Sequence, residues 1–204
     1  VELFAPKKGI LTDFLIEDYH IIKFDVEKYS TEERTPLPHQ VDAAKFMLSR
    51  KRCIIADEMG SGKSCSAILA ALEGNYEHVL IVCPASVKKT WEKELKFYVK
   101  DEDITIVQGS KWDDAKFTII NFDILDNFYE IPEQIVKTSE LNVDDDGNVI
   151  REYKEKKIVS RSKKIIDEAM SKSQLFQSNY DLVIIDEAHR LSNNTSGRFK
   201  IINR

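Results

Sequence analysis

The sequence predicts an α/β fold built on a doubly wound, mostly parallel sheet, and three observations predict it. Short, continuously apolar runs recur along the chain at Cys53–Ala56, Val79–Cys83, Ile104–Val107, Phe117–Ile120 and Leu182–Ile185. Strands covered on both faces read this way, whereas half-exposed strands alternate. Between the runs, Ser64–Leu72 and Val87–Val99 carry helical spacing and supply covering layers. Thirdly, a glycine-rich segment follows the first run and opens the first of these helices, the arrangement that holds phosphate at a helix N-terminus.

Composition sets outer bounds. The chain has 204 residues, 42% of them hydrophobic, enough for one core with appendages. Thirty Lys and Arg against 35 Asp and Glu give a net charge of −5, so there is no global basic signal for nucleic acid. A single cleft can still be basic in an acidic chain. No apolar stretch is long enough to span a bilayer and no leader pattern opens the chain, so a soluble, intracellular protein without a membrane partner is expected. Cys53, Cys65 and Cys83 are odd in number and form no C-x-x-C, which predicts small buried hydrophobes without a disulfide partner.

The elements follow in order. Residues 1–35 hold short β-branched and aromatic runs at Phe14–Glu17 and His20–Val26, which predict a small strand-rich extension. From residue 36 the main domain begins: Pro36-Leu37-Pro38 fixes a start, and Val41, Ala44, Phe46, Met47 and Leu48 predict a helix over about 39–49. The domain then runs to 204, interrupted by an insertion over about 131–178. There, alternation across Leu141–Tyr153 around Asp144–Asn148 predicts a β-hairpin, and Ser160–Gln177 places Ile165, Ile166, Ala169 and Met170 on one helical face. Asp144, Asp146, Asn148 and Glu155 have the spacing of a calcium loop, but Val149 stands where that loop needs glycine, so the hairpin turn is the better reading.

The segment Asp57-Glu58-Met59-Gly60-Ser61-Gly62-Lys63-Ser64 is the candidate phosphate-binding loop. Glycines let its backbone curl so that N–H groups meet phosphate oxygens. Lys63 would neutralise the β- and γ-phosphates, and the Ser64 hydroxyl would ligate a bridging Mg²⁺. Leu182–Ile185 delivers Asp186 and Glu187 at a strand end, where open α/β sheets bind ligands. An acidic pair alone is more often a helix cap; beside a phosphate loop it divides into a metal carboxylate, Asp186, and a residue that orients and deprotonates water, Glu187. His189, three positions after Asp186, is a candidate coupling residue between nucleotide and polymer sites.

Five segments together resemble the Swi/Snf-like branch of superfamily-two helicases and translocases, in its N-terminal RecA-like ATPase domain. They are Pro38-His39-Gln40, Asp57–Ser64, Val82–Leu95, Asn121–Leu125 and Asp186–Asn193, and the likeness covers about 36–130 and 179–197. It accounts for Asp57, which a generic phosphate loop has as glycine. Ser61 and Ser192 stand where the branch usually has Leu and Lys, and Asn121-Phe122 where it has Thr-Tyr. The wording also resembles phage or viral members, which would place the protein in an infected cell's cytoplasm, with a nuclear location left open.

The resemblance implies ATP and Mg²⁺ as cofactors and DNA, duplex before single-stranded, as polymer. It implies that Gln40 reads adenine through its amide. It places Ser86, Lys88, Lys89 and Asn121 at the nucleic-acid backbone, with Trp91 either beside them as an aromatic contact or, by its helical spacing with Leu95, in the core. It further implies a second RecA-like domain in the same parent chain. Val1 and Arg204 both read as cut ends, so these residues alone are expected to bind Mg-ATP weakly and to unwind nothing. Two rivals stand beside this reading: an RNA helicase, and a nucleotide-regulated interaction module that holds a partner on the insertion.

Overall fold

In the computed structural model the described residues are 2–4, 19–109, 111–113, 115–128, 133–143, 149–159, 168–169 and 171–191. In chain order the elements are Glu2–Phe4 (β1), Pro38–Leu48 (α1), Arg52–Ile54 (β2), Lys63–Glu73 (α2), Val79–Cys83 (β3), Lys88–Leu95 (α3) and Ile104–Ile106 (β4). Phe117–Asn121 (β5), Glu133–Val143 (β6), Val149–Val159 (β7), Gln174–Gln177 (α4) and Leu182–Ile185 (β8) complete them.

The principal sheet runs β2-β1-β8-β3-β5-β4. Four of the five apolar runs lie side by side in it as parallel strands, β8, β3, β5 and β4, and the α/β class expected from the sequence holds. Every residue of β3 and β5 is buried, as continuous apolar runs demand. The first run differs. Expected as a buried strand over Cys53–Ala56, it pairs as Arg52–Ile54 with exposed residues on either side of Cys53, and Ile54 is 67% exposed. A strand at the sheet's edge is covered on one face only, so alternation replaces burial.

β1 lies antiparallel between β2 and β8, with Leu3 opposite both Cys53 and Ile184. Expected within an appendage, these residues instead satisfy the backbone of two strands that would otherwise show open edges. His20–Val26 is not a strand. Short 3₁₀ turns at Tyr19–Ile21 and Glu27–Tyr29 bracket it, and its side chains pack on helices instead of pairing. Ile22 and Phe24 lie against the core, Tyr19 meets Phe46 of α1 edge-on, and the Tyr29 hydroxyl donates to Glu73 at the end of α2. Arg34 pairs with Glu94 of α3. Phe14–Glu17 lies outside the described residues.

Helix α1 starts with Pro38 at its first position, where a missing N–H costs nothing. Helix α2 is buried from Cys65 through Ala71; its run of Cys, Ser and Ala lets neighbours approach closely. α3 is shorter than the spacing over Val87–Val99 suggests, since a 3₁₀ turn at Ala85–Val87 precedes it and turns follow Leu95. Tyr98 and Val99 still pack on the core from those turns. Cys53, Cys65 and Cys83 are all buried. Among the described residues, no helix is long and apolar enough to cross a membrane.

Residues 129–177 form a second compact unit. Its hairpin joins β6 and β7 antiparallel, with Val143 opposite Val149, and each strand is 11 residues long, well beyond the expected Leu141–Tyr153. Residues 144–148, where the sequence predicts the turn, lie outside the described residues. Glu155 sits in the middle of β7 opposite Lys137, a place no calcium-loop ligand occupies. Of the helix expected over Ser160–Gln177, residues 160–167 and 170 lie outside the description; α4 closes the segment after a break at 172–173.

Candidate functional site

Strand register gathers the candidate residues on one edge. Cys83 ends β3 opposite Asn121 at the end of β5, and Val82 stands opposite Ile185 of β8. The Asp186 N–H continues this ladder to the Val82 carbonyl at 2.8 Å. Because β1 is antiparallel to both β2 and β8, β2 points the same way as the parallel set. The segments after β2, β3, β5 and β8 therefore all emerge at the C-terminal edge of the sheet. β2 and β8 are two strand spacings apart, roughly 10 Å.

After β2 the chain curls. Gly60 and Gly62 have φ of +86° and +81°, a region that side chains disfavour, and Gly62 caps the start of α2. Lys63 folds back so that its ammonium donates to the carbonyls of Asp57 at 2.7 Å and Glu58 at 2.8 Å. Asp57, Glu58 and Met59 are exposed, Met59 by 97%. The Ser61 hydroxyl is buried with no hydrogen-bond partner among the described residues.

Gln40, 5% exposed, braces this loop from α1. Its Oε1 accepts from the Leu37 N–H at 3.0 Å and from the Cys65 thiol at 3.5 Å, and its Nε2 donates to the Ser61 carbonyl at 3.3 Å. His39 Nε2 lies 2.9 Å from that same carbonyl. A Cβ added at Gly62 would stand 2.1 Å from Gln40 Nε2. Gly62→Ala is accordingly expected to destabilise the fold by about 1–3 kcal/mol, combining left-handed backbone strain with displacement of a buried amide. Thermal unfolding checks this, and an unchanged melting temperature would show that Gln40 does not hold the loop.

At the end of β8, Asp186 Oδ2 accepts a hydrogen bond from Trp91 Nε1 at 2.9 Å. Glu187 has φ of +55°, a left-handed conformation that costs a non-glycine residue about 1–2 kcal/mol. Such strain persists where the surroundings enforce it, commonly at sites of chemistry. His189 Nδ1 lies 3.1 Å from Glu187 Oε2, with both side chains exposed. The Asp186–Asn193 segment is described as far as Leu191.

After β3, Ser86 and Lys89 face solvent, Lys89 paired with Glu92 at 2.8 Å. Lys88 turns inward, donating to the Val107 carbonyl and to Asn121 Oδ1, each at 2.9 Å, while Asn121 is buried. Burial holds the Lys88 ammonium below its ordinary range. Burial also pushes the Cys83 thiol up to about 12, with the Asp186 carboxylate adding to the effect and Lys88 opposing it. Of the four residues the resemblance placed at a nucleic-acid backbone, two are open to a partner and two are engaged with each other. Trp91, expected either beside them as an aromatic contact or in the core, is 1% exposed and belongs to the core.

The family model of the SNF2-related domain matches residues 39–204, most of the chain. The chain belongs to the SNF2-related family. It is 26% identical over 207 residues to the DNA annealing helicase and endonuclease ZRANB3 of Mus musculus, covering 97% of this chain and 15% of that protein. It is 27% identical over 173 residues to the ISWI chromatin-remodeling complex ATPase ISW1 of Saccharomyces cerevisiae, covering 78% of this chain and 12% of that one. Identity to an uncharacterized ATP-dependent helicase of Bacillus subtilis is 25% over 174 residues, 82% of this chain and 24% of that protein. The chain thus spans less than a quarter of the length of these relatives.

Its parallel sheet with covering helices is the RecA-like core of an SNF2-related domain. Two features of this domain escaped sequence reasoning. The inward turn of Lys88 had a readable signal, because Lys88 and Trp91 are three apart on one helix and so share a face. The bond from Trp91 to Asp186 had only a generic one: a buried indole N–H needs an acceptor, and nothing in the spacing says which.

Proposed function

We propose that this SNF2-related domain is the ATP-binding half of a motor that couples ATP hydrolysis to movement along DNA. The observation that carries the reading is the shared edge, where the loop after β2 and the carboxylates after β8 emerge with parallel strand directions. Lys63, whose ammonium meets two neutral carbonyls, would exchange them for charged phosphate oxygens, a stronger partner. Glu187 orients and deprotonates the attacking water, and His189, within reach of it, relays the state of that carboxylate toward the polymer.

The donor set suits Mg²⁺. Ser64 and Asp186 offer hard oxygen ligands, and among the described residues no cluster of three or more His, Cys, Asp or Glu could form a protein cage. Mg²⁺ keeps several waters and takes its other ligands from phosphates, so one hydroxyl and one carboxylate suffice. When bound it neutralises charge that develops on the phosphates. Glu58, Met59, Gly60, Ser61 and Gly62 complete the phosphate cradle, and Asp57 shapes its entry. Gln40 would read adenine with the Nε2 hydrogen that its bond to Ser61 leaves over, while its bonds to Leu37, Cys65 and Ser61 keep it braced against the loop, which ties base recognition to the loop.

Ser86 and Lys89 are the groups best exposed for phosphate backbone, with Lys88 and Asn121 supporting them from within. The names of the mouse and yeast relatives, a DNA annealing helicase and a chromatin-remodeling ATPase, support DNA as the polymer; the preference for duplex over single strands is part of the proposal. A second RecA-like domain in the same protein would close on the nucleotide and supply the arginine that completes the site. The test is phosphate release by the full-length protein with duplex DNA, single-stranded DNA and RNA in turn. Duplex DNA is expected to raise turnover at least tenfold. Preferential stimulation by RNA would identify an RNA helicase, and equal turnover with and without polymer would remove the motor reading.

A further inference from the structure

Asp186 is held twice. Its backbone N–H bonds to Val82 of β3, and its carboxylate Oδ2 accepts the indole N–H of Trp91. The second bond comes from a different layer, helix α3, and from a side chain that is almost completely enclosed. An enclosed indole cannot swing away to water, so its N–H is a fixed donor, and satisfying it requires the carboxylate to keep one orientation. A carboxylate has about four lone-pair positions, and one bond to Trp91 leaves the rest for an ion or its water.

We propose that Trp91 is the positioning residue of the metal carboxylate: through its indole N–H it sets the direction in which Asp186 presents its oxygens to Mg²⁺. This rests on the nucleotide-site reading above. Hydrogen-bonded partners of metal ligands fix ligand orientation, and their removal typically weakens metal binding about 10–100-fold. The aromatic body of Trp91 fills the core, but a phenyl ring would do most of that work; the N–H is what phenylalanine lacks.

Trp91→Phe in the full-length protein separates the two roles. Binding of a non-hydrolysable ATP analogue is measured by calorimetry across a Mg²⁺ titration and again in EDTA, beside circular dichroism and thermal unfolding. The Mg²⁺ concentration that half-saturates analogue binding should rise about tenfold or more, while affinity in EDTA stays within twofold of wild type. A folded variant with an unchanged Mg²⁺ requirement would overturn the proposal. Should the smaller ring collapse the core, replacement of Trp91 by β-(3-benzothienyl)alanine keeps the indole shape without the N–H, and the same Mg²⁺ shift decides. Wild-type protein whose analogue binding ignores Mg²⁺ would instead overturn the nucleotide-site reading and this inference with it.

Discussion

Replacing Glu187 with glutamine is expected to lower ATP turnover about 10²–10⁴-fold while nucleotide affinity stays within a few-fold of wild type. The substitution is nearly isosteric, so it keeps the side chain that the backbone presents at φ of +55° and keeps an oxygen for His189. What it removes is the basic carboxylate. Asp186 and Lys63 are untouched, and with them the groups proposed to hold Mg²⁺ and phosphates. Phosphate release with saturating duplex DNA, beside calorimetric binding of Mg-ATP to the same preparation, makes the measurement. Turnover within twofold of wild type would show that Glu187 does not activate water, and joint loss of binding and turnover would place it among the groups that hold the metal.

The strained backbone at Glu187 illustrates what a sequence conceals. Periodicity locates β8 to the residue, because an apolar run bounded by Asp186 has few other readings. The chemistry of the adjacent carboxylates is equally legible, since two acids at a parallel strand end beside a phosphate loop have a restricted set of uses. That Glu187 adopts a left-handed conformation is set by the turn into Ala188–Leu191, and no residue-type rule demands it of a glutamate.

Tertiary competition explains the other differences. His20–Val26 has strand-forming residues, yet Tyr29 and Arg34 find acceptors on α2 and α3 and the segment lies along the helices. β-propensity reports fit to a half-buried surface and does not distinguish a sheet from a helical layer. Conversely, Glu2–Phe4 has little strand signature of its own and pairs because β2 and β8 leave a position between them. In the site, Lys88 and Lys89 are adjacent and chemically identical; the spacing of Lys88 to Trp91 marks it as the inward one, but what it meets there, Val107 and Asn121, depends on how α3 packs on β4 and β5.

Lys63→Ala is expected to weaken ATP binding about 100-fold or more, since charge-assisted bonds to phosphate oxygens contribute about 1.5–3 kcal/mol each and Lys63 is placed to make two. Stability should change little. Without nucleotide the ammonium makes two exposed bonds to loop carbonyls, and truncation at such a site typically alters stability by about 0.5 kcal/mol or less. The variant therefore separates nucleotide binding from folding, as Glu187→Gln separates chemistry from binding. Lys63→Arg should not rescue, because a planar guanidinium cannot take the place of a compact ammonium inside so tight a loop. Affinity within a few-fold of wild type would remove Lys63 from the phosphate site. Function retained at saturating ATP without turnover would leave ATP ordering a docking surface, and the motor reading would give way to a nucleotide-regulated interaction module.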